Sequence, residues 1–225
     1  MCYLNYYMRK DDKMKATSSV APATYTIELF ADGTCDIIFA THVIPIEIPS
    51  SETEETEIYY EFDMYRMHAS YSDALKERIG ENYSAWLDKA KNDELVAIAN
   101  SKLGEMNTAC RETIYAGIDV KTEYGDEHFS LNTHDQQNLS SIKMIIASGA
   151  DSYPYHADGK ACVLYSATDL NNIITTATKF ITYQTTYCNM LRLWIERETD
   201  SDTINSIYYG CELPEDLQEY MEELI

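Results

Sequence analysis

Residues 181–194 read ITYQTTYCNMLRLW, with threonine and tyrosine where a surface helix normally carries lysine and glutamate. Apolar residues recur at helical spacing on both sides of this stretch, which predicts one helix over residues 167–198, ~45 Å long. A single apolar stripe, interrupted only by Gln184, predicts its buried face. The stripe comprises Leu170, Ile173, Ile174, Ala177, Phe180, Ile181, Tyr187, Cys188, Leu191, Trp194 and Ile195.

The second face of this predicted helix is nearly uncharged and consists of residues with low helix propensity. Contacts must then stabilise it, so we expect either the chain's own hairpins or another subunit to cover this face. The alternative is a threonine-rich helix whose second face is exposed to water. The face comprises Thr175, Thr176, Thr178, Thr182, Tyr183, Thr185, Thr186, Asn189, Met190 and Leu193.

The charge of the chain limits its partners. Its 225 residues include 38 Asp and Glu against 17 Lys and Arg, a formal net charge of −21 at pH 7. Such a chain repels phosphate backbones and anionic headgroups, so we expect neither nucleic acid nor membrane as a partner. No apolar run is long enough to span a bilayer and the first residues lack a signal-peptide pattern, so we expect neither membrane insertion nor secretion.

The periodicities predict an α+β fold: a small N-terminal β-hairpin or sheet domain, followed by a mainly α-helical domain with two short β-hairpins. Residues 1–20 have no steady period, and we expect them to need a partner for order. The predicted segments are an N-terminal arm (1–20), a β-rich domain (21–71), a helical connector (72–117), a C-terminal α+β module (118–200) and a C-terminal helical tail (201–225).

The β-rich domain is predicted to begin with a hairpin, because residues 25–29 and 35–39 alternate apolar and polar side chains around an Asp32-Gly33 turn. An extended edge with Pro45 and Pro49, a solvated glutamate loop at 52–57 and a third strand within 58–71 follow.

Helical spacing resumes after Ser72, a predicted N-cap, and Asn92-Asp93 predicts a break before a second helix that ends at Gly117. Gly104 predicts a weak point inside that second helix. The first helix has its apolar face at Leu75, Ile79, Tyr83, Trp86, Leu87 and Ala90.

The C-terminal module predicts hairpins around Tyr124-Gly125-Asp126 and around Asp158-Gly159. Between them, Thr133 and Gln136 have the spacing of a capping box for a helix that runs to about Ser148. A helix start at Ser166 leads into the long helix. In the tail, Pro214 predicts the start of a helix with Leu217, Tyr220, Met221 and Leu224 on one side.

Candidate chemical groups do not form a known signature. His128, His134 and His156, with Asp158 and Cys162, lack the close spacing of zinc ligands, and we expect their imidazoles to bond turn backbone. Cys162 or Cys188 with His156 lacks the signature of an activated thiol. We therefore predict no catalytic residue, no cofactor, no metal and no enzymatic activity. The cysteines are far apart and are expected to be reduced: Cys2, Cys35, Cys110, Cys162, Cys188 and Cys211.

The 19 tyrosines indicate contact surfaces, since tyrosine is enriched at interfaces, and protein contact is favoured over a glycan-binding surface. The candidate protein-interface residues are Tyr183, Thr186, Tyr187, Met190, Leu193, Tyr208, Tyr209, Leu217, Tyr220 and Met221.

Three blocks, HFSLNTHDQQNL (128–139), PYHADGKAC (154–162) and ITYQTTYCNMLRLW (181–194), resemble a module of bacteriophage and prophage tail proteins encoded among baseplate and tail-fibre genes. The region that begins EIYYEFDMYR also resembles the part preceding that module, so the resemblance covers about residues 58–200. It implies a structural protein of the virion tail, assembled in the host cytoplasm, with no catalytic residue to carry over.

On this basis we expect an adaptor that links the tail tip to fibre or receptor-binding components, with other tail, baseplate or fibre proteins as partners and several copies in a symmetric assembly. The alternatives are a tail-fibre assembly chaperone, absent from the finished particle, and a receptor-recognition module that binds host glycan through tyrosines.

Overall fold

Five strands form one antiparallel sheet and four more form two separate hairpins in the computed structural model, which describes residues 5–6, 15–49 and 56–225. The expected α+β fold is confirmed. In chain order the elements are β1 (Asn5–Tyr6), β2 (Lys15–Ser18), β3 (Tyr25–Leu29), β4 (Thr34–Pro49), β5 (Thr56–Ser70), α1 (Leu75–Glu81), α2 (Tyr83–Ala116), β6 (Ile118–Thr122), β7 (Gly125–Phe129), α3 (Thr133–Ala147), β8 (Ser152–Tyr155), β9 (Val163–Ser166), α4 (Ala167–Arg197), α5 (Ser201–Ser206) and α6 (Glu215–Leu224).

The chain forms two compact units. The first unit comprises Met1–Ser101 and Glu198–Ser206, and the second comprises Lys102–Arg197 and Ile207–Ile225. The boundary between them falls inside α2, so both units share the segment predicted as a helical connector. The predicted C-terminal tail is likewise divided after Ser206.

The sheet of the first unit has the strand order β1-β2-β5-β4-β3, with antiparallel neighbours throughout. The predicted β3–β4 hairpin is present, and the Asp32 carboxylate accepts the Thr34 amide proton over 3.0 Å at its turn. The predicted third strand is β5. Lys15–Ser18, predicted as part of the arm, pair with β5 of the same chain. Residues 1–4, 7–14 and 50–55, which include most of the arm and of the glutamate loop, lie outside the described residues.

A β-bulge interrupts the pairing of β4 with β5. Thr41 pairs with Asp63 and Ile44 with Glu61, so β4 advances three residues while β5 advances two. His42, inside the bulge, has a positive φ of 52° and its imidazole contacts Asp63 over 2.7 Å. The extra residue reverses the alternation of β4 side chains between the two faces of the sheet.

One face of the sheet packs against α1 and the start of α2. The predicted apolar helix face is confirmed, since Leu75, Ile79 and Ala90 are buried against Ile37 and Phe39. Tyr83, Trp86 and Leu87 are partly buried in the same cluster.

The helix boundaries differ from those expected in two places. The break lies at Asn82, whose backbone is not helical, and not at Asn92-Asp93, where an ion pair between Lys89 and Asp93 supports the helix. The N-cap residue of α1 is Ala74 and not Ser72, and no side chain caps this end of the helix. The second helix is continuous through Gly104 and ends, as predicted, before Gly117.

The second unit contains both predicted hairpins, β6–β7 and β8–β9. The capping box of α3 lies one residue earlier than predicted, because Asn132 has extended backbone and accepts from the His134 and Asp135 amides while Asp135 accepts from Asn132. The side-chain amide of Gln136 does not take part in the capping box and instead donates to the Leu131 carbonyl over 2.7 Å.

The long helix α4 follows Ser166, whose hydroxyl oxygen accepts the Asp169 amide proton over 3.1 Å. Every residue of its predicted apolar stripe is buried or half-buried. The core of the unit joins this stripe to the end of α2, to α3 and to both hairpins.

Candidate functional site

The second face of α4 is mostly exposed in the single chain. Met190 is buried, Thr176 and Thr186 are half-buried, and the other residues of this face are exposed. The expectation that the chain's own hairpins cover it is wrong, because those hairpins pack with the apolar stripe around Ile173 and Ala177. That another subunit covers this face of α4 remains a prediction.

Five exposed residues of this face and Asn171, one turn before them, form a straight strip, which we call the α4 strip: Asn171, Thr175, Thr178, Thr182, Thr185 and Asn189. They recur at alternating intervals of four and three residues, the spacing at which helices pack along a shared seam. The Thr178 hydroxyl donates to the Ile174 carbonyl over 2.8 Å. Because this acceptor belongs to the same helix, the Thr178 hydroxyl donor needs no hydrogen-bond acceptor from another protein.

The residues of the strip are uncharged, and Lys179 is the one charged residue of α4 between Asp169 and Arg192. From Phe180 to Leu191 the helix has no charged residue, and Lys179 and Arg192 flank this run. In a chain with a net charge of −21, an uncharged run of this length lowers the electrostatic repulsion between this face of the helix and another acidic surface.

A cleft of about 320 Å³ lies between α2, α3 and α4 beside the strip. Thr185 and Asn189 of the strip line it, and Arg111 supplies its one basic side chain. Arg111 forms no ion pair within the described part of the chain. The remaining lining residues are Asn107, Cys110, Ile114, Tyr115, Gln136, Ile181 and Cys188.

Two tyrosines predicted at an interface form an internal contact instead. The Tyr187 hydroxyl donates to the Cys211 carbonyl over 2.6 Å and accepts the Gly210 amide proton over 3.0 Å. The Tyr209 hydroxyl donates to the Gln184 side chain over 2.7 Å. Both rings therefore hold the segment after α5 on α4, and Tyr187 is not available to a partner.

The C-terminal helix α6 packs on α4 of its own chain, with Leu217 and Met221 buried. Arg197 and Asp216 form a bidentate ion pair beside this contact. Leu217, Met221 and the buried Met190 are thus core residues, which corrects their assignment as interface candidates. The candidates that remain exposed are Tyr183, Leu193, Tyr208 and Tyr220, and Thr186 is half-buried.

The expected contact between imidazole and backbone is confirmed for His128 and His156, two of the three candidate histidines. His128 contacts the Ala116 carbonyl through Nε2 over 2.7 Å and the Asp119 carboxylate through Nδ1 over 2.8 Å, and His156 contacts the Ala157 carbonyl over 3.3 Å. The hydrogen bond with Asp119, then that with Ala116, raises the pKa of His128. Within residues 15–49 and 56–225 no group of three His, Cys, Asp or Glu side chains is placed to hold a metal ion.

Two cysteine thiols lie between helices α2 and α4. The Cys110 thiol donates to the Gln184 carbonyl over 3.5 Å, and the Cys188 thiol donates to the Met106 carbonyl over 3.8 Å. Burial raises the pKa of Cys188 to about 11, so the thiol is protonated at neutral pH and is a poor nucleophile. The five described cysteines are free thiols, and of these Cys162 is exposed.

A buried carboxylate that sequence reasoning missed joins the two hairpins. Glu127 accepts hydrogen bonds from Thr122 over 2.6 Å, Tyr165 over 2.9 Å and Lys160 over 2.9 Å. The period of two in β7 places Glu127 on the same face as the buried Phe129, so the strand pattern contained the signal.

None of the helices in the described part of the chain is long and apolar enough to cross a membrane. No protein-family model, curated protein or solved structure matches the chain.

Proposed function

We propose that the protein is a non-catalytic structural subunit of a bacteriophage tail or baseplate, an adaptor that links the tail tip to fibre or receptor-binding components. The α4 strip is the observation that carries this proposal: an exposed, uncharged row of residues at seam spacing on a strongly acidic chain. The resemblance of residues 128–139, 154–162 and 181–194 to tail modules supports it.

The strip has the properties of an assembly contact. From Asn171 to Asn189 it extends about 27 Å along the helix axis, and its four threonine side chains are small enough for two helix backbones to approach closely. Tyr183 and Leu193 are 50% and 40% exposed beside it, so the surface also offers apolar area. If copies of the chain pack through this surface, contacts between them offset the low helix propensity of its threonines. Such contacts would explain why threonine occurs so often on this helix.

The composition of purified phage particles tests the adaptor role. We expect mass spectrometry of virions from the phage that encodes this chain to detect it at a copy number comparable to that of the other tail proteins. A chain that is present during assembly but missing from finished particles is an assembly chaperone, and this result would overturn the adaptor role.

A charged variant tests the strip itself. Thr182→Glu with Thr185→Glu places two carboxylates on the strip, and we expect it to reduce self-association in sedimentation velocity and to block incorporation into tails. The matched control, Ser141→Glu with Met144→Glu, places two carboxylates at the same spacing on the exposed side of α3 and is expected to assemble normally. If both double variants assemble as well as the wild-type chain, the strip is a solvated surface.

A further inference from the structure

The sheet of the first unit has an apolar face that helices cover only in part. Because the bulge reverses the alternation of β4, Ile44, Ile46 and Ile48 lie on the same face as Ile37 and Phe39. Their partners on β5 are Glu61, Tyr59 and Glu57. The face that forms the core with α1 and α2 therefore continues along β4 toward Pro49.

Exposure changes sharply along this face. Ile37 and Phe39 are 0% exposed, whereas Ile44 is 50% and Ile48 is 38% exposed. A soluble chain rarely leaves a row of isoleucines in water unless another surface covers it. We call the row Ile44, Ile46 and Ile48, with Tyr59, the isoleucine face.

The edge of this ribbon is unsuited to strand addition. β3 pairs only with Cys35–Phe39 of β4, so the part of β4 after the bulge is an edge in the described sheet. Pro45 and Pro49 remove two backbone donors from that edge, and an added strand would lack those hydrogen bonds. A partner is therefore better accommodated on the face than at the edge.

The charges of the ribbon indicate the chemistry of the partner. Glu47, Glu57 and Glu61 are the charged residues of the two paired segments 44–49 and 56–61, which contain no Lys or Arg. Lys15 of β2 contacts Glu61 over 3.2 Å. The carboxylates of Glu57 and Glu61 lie on the same face as the apolar row, opposite Ile48 and Ile44, whereas Glu47 lies on the other face of the sheet. The two carboxylates on the isoleucine face favour a partner with basic groups around its own apolar surface.

The covered half of the same face shows how such a contact is built. There α2 packs its apolar side on the sheet, and the Lys91 ammonium lies 5.3 Å from the ring centroid of Tyr65. Tyr59 lies three pairs along β5 on the same face, next to Glu57 and Glu61. A helix from a partner, with an apolar stripe and flanking lysines, can therefore make the same kinds of contact with the isoleucines, with the Tyr59 ring and with the neighbouring glutamates.

We propose that the isoleucine face docks an amphipathic helix of a basic partner protein. A second copy that presents the same face is disfavoured as the occupant, because Glu57 and Glu61 of the two copies would then lie close together. The surface is distinct from the α4 strip, and the proposal is independent of the role in a phage tail.

Binding of a synthetic probe tests the proposal with the full-length chain. The probe is a fluorescein-labelled helical peptide with leucine on one face and lysine on the other. Its binding is measured by fluorescence anisotropy. We expect saturable binding that weakens as salt rises, and affinity lower by about tenfold or more for Ile44→Ser with Ile48→Ser. Leu164→Ser, an exposed leucine of β9 in the second unit, is the control and should bind as the wild-type chain does.

A peptide with glutamate in place of lysine should not bind. Equal binding of the lysine peptide by the wild-type chain and the double serine variant shows that the face is not the docking site and overturns the proposal. Equal binding of both peptides removes the requirement for a basic partner and overturns it too. A third result would also overturn the proposal. If the wild-type chain self-associates and the double serine variant does not, a second copy of the chain is the occupant of the face.

Discussion

The hydroxyl of Tyr187 on α4 lies 2.6 Å from the backbone carbonyl oxygen of Cys211 and donates a hydrogen bond to it. The Tyr187 hydroxyl oxygen accepts the Gly210 amide proton, and the Tyr187 ring meets that of Tyr209 edge-to-face at 5.3 Å between centroids. Burial raises the pKa of Tyr187 to about 12, which keeps the hydroxyl a donor at physiological pH. One side chain thus satisfies two backbone groups of the segment between α5 and α6.

Tyr187→Phe removes both hydrogen bonds while keeping the ring. We expect the second unit to lose about 1–2 kcal/mol of unfolding free energy, because the backbone carbonyl of the half-buried Cys211 and the Gly210 amide lose their partner. Urea unfolding followed by Trp194 fluorescence in a Trp86→Phe background reports the second unit alone, since each unit contains one tryptophan. Tyr208→Phe, at a side chain that is 60% exposed, is the control and should not change stability.

Gly117 joins α2 to β6 and tolerates no side chain. Its φ is +93°, and an added Cβ would lie 2.2 Å from the Phe129 carbonyl oxygen and 2.8 Å from the Ser130 Cα. We expect Gly117→Ala to destabilise the second unit by more than about 2 kcal/mol in the same unfolding measurement.

Gly104 supplies the opposite case inside α2, where an added Cβ meets open space. We expect Gly104→Ala to stabilise the protein by about 0.5–1 kcal/mol, since alanine loses less conformational entropy in a helix. Destabilisation by both alanine variants to the same extent would show that the contact with Phe129 is not the cause at Gly117.

Local patterns predicted those elements whose period is long and regular. The apolar stripe of α4, the β3–β4 hairpin and the helix end at Gly117 follow from side-chain alternation, helical spacing and the conformational freedom of glycine. Each of these depends on neighbours along the chain, so sequence alone is sufficient.

Features made by contacts between distant segments were not predicted. Tyr187 looked like an interface residue because no local pattern indicates that residues 207–211 fold back onto α4. The bulge at His42 was also missed, and it alone places Ile44 on the same face as Phe39. A one-residue shift in a strand leaves composition unchanged and exchanges the two faces.

His128 gives the second unit a pH-dependent contact. The hydrogen bond to Asp119 is the largest cause of its raised pKa, so the folded chain binds this proton more tightly than the unfolded chain does. The stabilising effect is complete below the unfolded pKa of ~6.5 and is lost as pH rises through the folded pKa. We expect Asp119→Asn to lower the titration midpoint of the His128 ring protons in NMR spectra. Glu123→Gln on the same hairpin should leave the midpoint unchanged, and an unchanged midpoint in Asp119→Asn would contradict the assigned cause.

Glu127 titrates in the opposite sense. Burial raises the pKa of its carboxyl group, but hydrogen bonds from Thr122, Lys160 and Tyr165 together outweigh burial, so that the folded pKa lies below its usual value. Its contribution to stability is therefore complete above the unfolded pKa of ~4.3 and is lost as pH falls through the folded pKa.

Glu127→Gln should destabilise the second unit by about 1–3 kcal/mol at pH 7, because the charge-assisted bonds to Lys160 and Tyr165 are lost. The difference from the wild-type chain should begin to shrink as pH falls below the unfolded pKa of ~4.3 and should disappear as pH falls through the lower folded pKa, where the wild-type carboxylate becomes protonated as well. Urea unfolding at several pH values, read by Trp194 fluorescence, measures both effects. Asp126→Asn removes an exposed carboxylate from the neighbouring position and should show neither. A destabilisation by Glu127→Gln that is constant from pH 7 to pH 3 would mean that side-chain shape, and not the buried charge, holds the two hairpins together.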